Sequence, residues 1–69
     1  MNNSLDSNKN SFPYLLNRSQ ASEFLGIDPK SFDKYIRSNS ELKRFMIGNQ
    51  ERYIREQLIA FIKSHLTEE

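Results

Sequence analysis

The sequence predicts a small, mostly helical α+β domain in the order helix, helix, two-stranded hairpin, helix. Three observations predict it. Apolar residues recur at helical spacing in Ala21, Phe24 and Leu25, again in Phe32, Tyr35 and Ile36, and again in Leu58, Phe61 and Ile62. Between the second and third sets, Phe45 and Ile47 alternate with Arg44 and Met46 ahead of Gly48-Asn49-Gln50, which is the chemistry of a hairpin turn. At 69 residues the chain is one domain at most, and a domain of this size buries only roughly 60% of the surface its unfolded form exposes.

Residues 1–11, MNNSLDSNKNS, are too polar to bury anything and are expected to form a disordered arm. The fold is expected over residues 12–66, with a C-terminal tail at 67–69. Phe12, Tyr14, Leu15 and Leu16 make an apolar lead-in, and Pro13 biases its neighbour toward extended structure. Asn17 and Gln20 have the spacing of a capping box, so the first helix begins near Arg18. Gly26 ends it, since glycine tolerates the left-handed conformation that closes a helix. Asp28-Pro29 then supplies a cap and a first-turn proline for a second helix, which should fray at Ser38-Asn39-Ser40. The hairpin follows, and REQLIAFIKSHL forms the last helix, with Leu58, Phe61, Ile62 and His65 on one face. The expected core draws on Tyr14, Leu15, Leu16, Phe24, Leu25, Ile27, Phe32, Tyr35, Ile36, Phe45, Ile47, Tyr53, Ile54, Leu58, Phe61 and Ile62.

Two short helices joined by a tight glycine-containing turn, then a hairpin and a third helix, make a winged helix-turn-helix. Net charge is only +1, yet residues 30–55 carry seven basic side chains against three acids, 7 − 3 = +4. On a helical wheel Lys30, Lys34 and Arg37 fall within about 60° of one another, opposite the apolar face. Such a ridge suits a recognition helix, in which basic and small polar groups reach phosphates and base edges in a major groove. Ser31, near the helix start, could join it or belong only to the first turn. Arg44, Asn49, Gln50 and Arg52 cluster at or near the hairpin tip, where they suit minor-groove or phosphate contact, or serve only as soluble turn residues. Amide groups near Arg18 and Ser19 could receive a phosphate at the first helix start, unless Asn17 caps them. Ile59 and Leu66 lie at the edge of the last helix's apolar arc, either folded under the lead-in or free to touch a protein partner.

LLNRSQASEFLGIDPKSFDKYI followed by IGNQERYIREQLIAFI resembles the small excisionases, or recombination directionality factors, of phages and conjugative elements, within the MerR-like winged-helix group. The similarity covers Leu15 to about Leu66, with a wing glycine at Gly48, a wing arginine at Arg52, and the opening of the last helix at Arg55, Glu56 and Leu58. It departs at Ile54, where many relatives have proline, so the end of the wing is set differently here. The resemblance implies copies bound side by side on double-stranded DNA, bending an attachment site and directing an integrase or recombinase toward excision. A small transcriptional regulator of a mobile element would share the same DNA-binding physics. A protein-binding adaptor using the last helix is the rival of another class.

An enzyme is not expected, and no cofactor or metal site is. His65 is the sole histidine, Asp28 and Asp33 suit capping and flanking roles, and no glycine-rich phosphate loop is present. There are no cysteines, and no apolar run reaches the roughly 20 residues of a membrane span, so a cytoplasmic protein is expected.

Overall fold

The computed structural model describes residues 12–67, so the expected arm at 1–11 and the last two residues of the expected tail lie outside the described residues. Helix α1 spans Arg18–Leu25 and starts on both bonds of the capping box. The Gln20 amide donates to Asn17 Oδ1 and the Asn17 amide to Gln20 Oε1, each at 2.9 Å. Gly26 closes the helix at φ 78°, and the Gly26 and Ile27 amides donate back to Glu23 and Ser22 carbonyls at 3.1 and 3.0 Å, a Schellman closure.

Helix α2 spans Pro29–Phe32, with Asp28 accepting from the Ser31 amide at 3.1 Å. It runs directly into a π-helical segment, Asp33–Arg37, marked by the Ser38 amide donating to the Asp33 carbonyl at 3.2 Å. An i→i+5 helix rotates each residue by less than the roughly 100° of an α-helix. Ile36 therefore comes nearly beneath Phe32, and both are buried, while Tyr35 swings outward to 64% exposure. This corrects the expected Phe32, Tyr35 and Ile36 face: the periodicity holds for two of its members, and the change of helical pitch removes the third.

Strands β1 (Phe45–Ile47) and β2 (Gln50–Arg52) pair antiparallel with Ile47 opposite Gln50, so the turn is Gly48-Asn49 alone and Gln50 belongs to the strand. Gly48 has φ 61° and no non-glycine residue among those described has positive φ, which fits a II′ turn with glycine first. Beyond β2, Tyr53 exchanges two backbone bonds with Leu16, at 2.7 and 2.8 Å, tying the lead-in to the hairpin. Helix α3 spans Arg55–Ser64 and starts from Ile54 without a side-chain cap.

Leu16, Ala21, Phe32, Ile36, Leu42, Tyr53, Leu58 and Phe61 form the buried core, with Phe12, Phe24, Leu25, Ile27 and Ile62 packed against it. Tyr53 meets Phe32 edge-to-face at a centroid distance of 5.1 Å. Leu42, absent from the expected core, is buried from the loop after the π segment. Phe45 and Ile47, expected inside, are exposed along with Met46 and Tyr14. The hairpin thus contributes one large side chain to the core, Tyr53, placed just past its second strand. Among the described residues, no helix is long and apolar enough to cross a membrane.

Candidate nucleic-acid interface

Two carboxylates organise the polar side of the domain. Asp33, at the junction of α2 and the π segment, accepts Arg18 Nε on both oxygens at 2.9 and 3.0 Å and Arg37 Nε on Oδ1 at 2.9 Å. The Arg37 contact is the i,i+4 pair of a helix; the Arg18 contact spans 15 residues and braces the start of α1 against the second helix. Arg18 first, then Arg37, holds the Asp33 carboxyl below its ordinary range, and Asp33 in turn raises both guanidiniums.

Glu51, in β2, does the same between hairpin and helix. Its Oε1 accepts the Tyr53 hydroxyl at 2.5 Å and Arg44 Nη1 at 3.2 Å, with Arg37 Nη1 at 3.7 Å. The Tyr53 hydrogen bond, followed by the charges of Arg44 and Arg37, lowers the Glu51 carboxyl. Burial, reinforced by Glu51, raises the Tyr53 hydroxyl well above its ordinary value. Arg37 touches both acids, so a continuous chain runs from Arg18 through Asp33, Arg37 and Glu51 to Arg44 and Tyr53.

Arg44 is the clearest correction among the expected hairpin contacts. It precedes β1, far from the tip, and its side chain is only 21% exposed. Its Nη2 donates to the carbonyls of Arg37 and Asn39 at 2.8 and 3.1 Å. A guanidinium here satisfies the Arg37 carbonyl at the end of the π segment, shares the Asn39 carbonyl with the Leu42 amide, and suits the negative end of the helix dipole. Ser31 is likewise engaged locally, its hydroxyl donating to Asp28 Oδ1 at 2.7 Å.

Arg18, Arg37 and Arg52 converge. With Asn17, Asn49, Glu51 and Tyr53 they line an open cleft of about 360 Å³ between the start of α1, the π segment and the hairpin tip. Arg52 donates to its neighbour's Glu51 carbonyl at 2.8 Å and to Gln50 Oε1 at 3.1 Å, and has no carboxylate partner among the described residues. Gln50 thereby holds Arg52, while Asn49 is exposed at the rim. Lys30 and Lys34 are exposed on the second helix outside this cleft, Lys34 Nζ lying 5.3 Å from the Tyr35 ring centroid. Ser19 is exposed on the first turn of α1, where Asn17 takes the Gln20 amide. Ile59 and Leu66 are both exposed, one in α3 and one just after it.

Three guanidiniums and two amides line one concavity together with the Glu51 carboxylate; Arg18 and Arg37 already donate through Nε to Asp33, and the remaining N–H groups suit an oxyanion such as a phosphate. In the sequence Asn17 reads only as a cap, and Glu51 and Tyr53 only as strand residues; their meeting depends on how the hairpin folds back, for which the local sequence carries no signal. The Asp33–Arg37 spacing, by contrast, is a helical ion pair legible in the sequence.

No protein-family model, curated protein or solved structure matches this chain.

Proposed function

We propose that this chain is a sequence-specific double-stranded DNA-binding protein of the winged helix-turn-helix type, without catalytic activity, acting in the cytoplasm as an excisionase-like architectural factor of a phage or mobile element. The observation that carries this reading is the cleft in which Arg18, Arg37 and Arg52 converge between the helical pair and the hairpin. Three arginines, Arg18, Arg37 and Arg52, line the cleft against one lining acid, Glu51, giving 3 − 1 = +2, and Lys30 and Lys34 are exposed on the second helix outside it. That concentration supports phosphate binding, which depends on local rather than global electrostatics. In this reading the second helix lies in a major groove with Lys30 and Lys34 outward, and the hairpin is the wing beside it, with Asn49 and Arg52 toward the backbone or the minor groove. Neighbouring copies on DNA and an integrase are the partners this role calls for. Regulation of a mobile-element promoter would use the same surface. An adaptor role would instead use Ile59 and Leu66, whose exposure favours it.

The test is DNA selection from a random pool followed by salt-dependent affinity measurement. Lys34→Ala and Arg52→Ala are expected to weaken binding, each lowering the magnitude of the log K against log salt slope by about one for every phosphate no longer neutralised. Recovery of no sequence by the wild-type protein, or unchanged affinity in both variants, overturns the assignment. A footprint of the selected sequence separates an attachment site from a promoter.

A further inference from the structure

The two edges of the small sheet are treated differently. On the β2 side, Tyr53 exchanges both backbone bonds with Leu16, and the Glu51 carbonyl accepts the Arg52 guanidinium at 2.8 Å. Nothing comparable covers β1 among the described residues, where Phe45, Met46 and Ile47 are 56%, 47% and 46% exposed. Three consecutive half-exposed apolar residues on a free strand edge are a template for another strand.

The pairing parity says which groups point outward. Ile47 and Gln50 flank a two-residue turn and exchange bonds; the next pair, Met46 and Glu51, does not, and Phe45 with Arg52 does again. The outward bonding of Tyr53 to Leu16, one residue past Arg52, independently fixes the same alternation. The Met46 amide and carbonyl therefore face away from β2 on the bare edge.

We propose that β1 pairs with β1 of a second copy of this chain, antiparallel about a twofold axis at Met46. The two Met46 residues exchange both backbone bonds. Phe45 of each copy stands opposite Ile47 of the other, an aromatic against a β-branched side chain, which is a favourable cross-strand pair. The flanking charges suit this arrangement: antiparallel pairing puts the Lys43-Arg44 segments of the two copies at opposite ends of the seam, each near the uncharged Gly48-Asn49 turn of the other copy, so no like charges face each other. Sliding the strands by two residues toward the chain start instead sets Arg44 against Met46 and Lys43 against Ile47. Arg44 is in any case turned inward onto the Arg37 and Asn39 carbonyls, so it does not guard the edge. The interface is small beside the roughly 800 Å² per partner of a standard one, so association belongs near roughly 0.1–1 mM. It requires no nucleic acid and stands apart from the DNA-binding reading.

Sedimentation and amide NMR of the full chain, without DNA, from about 10 μM to about 1 mM, test it. The wild type is expected to shift toward dimer, with Met46 and its strand neighbours showing the largest concentration-dependent changes. Met46→Pro removes the outward amide without touching a β1–β2 bond and is expected to stay monomeric. Phe45→Glu, at an exposed strand position that faces Ile47 of the other copy, is expected to weaken association more than tenfold, and adding Ile47→Lys, which sets opposite charges across the seam, to restore it. This charge swap decides the matter if Met46→Pro does not fold. A wild type that stays monomeric throughout, or association indifferent to these changes, overturns the proposal.

Discussion

Phe32 and Phe45 both stand within two residues of basic side chains, yet Phe32 is fully buried while Phe45 is 56% exposed. The difference separates two modes of attachment. In the helical region, Leu16, Ala21, Phe32 and Leu58 are all 0% exposed, so position is set by packing. The hairpin has almost no apolar anchorage: the Tyr53 ring enters the core, and Glu51 ties the strand to Arg44 and Arg37. Apolar substitutions should therefore govern whether the domain folds, and polar ones where the hairpin sits.

The largest expected effect is Leu58→Ala. Leu58 is completely enclosed, and truncating a buried leucine costs about 2–5 kcal/mol through reduced transfer energy and the cavity left behind. A small domain has little more stability than that to lose. Thermal melting should show a broad or absent transition, whereas a cooperative transition shifted by less than a few degrees would show that the helical core is not the principal anchor.

Tyr53→Phe comes next and isolates the polar attachment, since the ring stays and only the hydroxyl is removed. A hydrogen bond to a charged acceptor contributes about 1.5–3 kcal/mol, and Glu51 keeps Arg44 and some water, so the lower end is expected. Its pH signature is distinctive. Glu51 and Asp33 both have carboxyls lowered in the folded state, by Tyr53 and by Arg18 respectively as the leading causes. Their contribution is present above the ordinary carboxylate values of about 4 and disappears as pH falls through the lower folded values. Wild-type melting temperature should drop between about pH 5 and pH 2, and Tyr53→Phe should show a shallower drop because Glu51 is then less shifted. An identical acid profile in the two proteins would place the hairpin's attachment elsewhere.

The contrast between the regions also marks what the sequence could disclose. The Asn17–Gln20 capping box, the Gly26 stop, the Asp28-Pro29 start and the hairpin turn at Gly48 are local chemistry, and each appears where the residues place it. Tyr35 departs from expectation because an α-helical period does not hold across a segment that runs as a π-helix. Leu42 gives no periodic signal, being one apolar residue in a polar loop. Phe45 and Ile47 alternate like a strand with one buried face, but alternation does not say whether anything lies against that face. Of the expected interface, Arg18, Arg37, Asn49 and Arg52 come to one cleft, whereas Arg44 is drawn into a helix end by carbonyls five and seven residues away in sequence, which no motif announces.

The smallest expected effect is the sharpest check on the comparison. Phe45→Ser replaces a large apolar side chain in the middle of the sequence, and by residue type alone it should cost as much as a core truncation. Phe45 belongs neither to the buried core nor to the residues packed against it, so its removal opens no cavity. What it forfeits is strand propensity and a cross-strand pairing with Arg52, each worth no more than about 1 kcal/mol. A change in stability within about 0.5–1 kcal/mol of wild type, measured by urea denaturation at low micromolar concentration to keep the chain monomeric, is expected. A destabilisation comparable to that of Leu58→Ala would mean that the hairpin folds against an apolar surface after all, and that both regions are held by the same force.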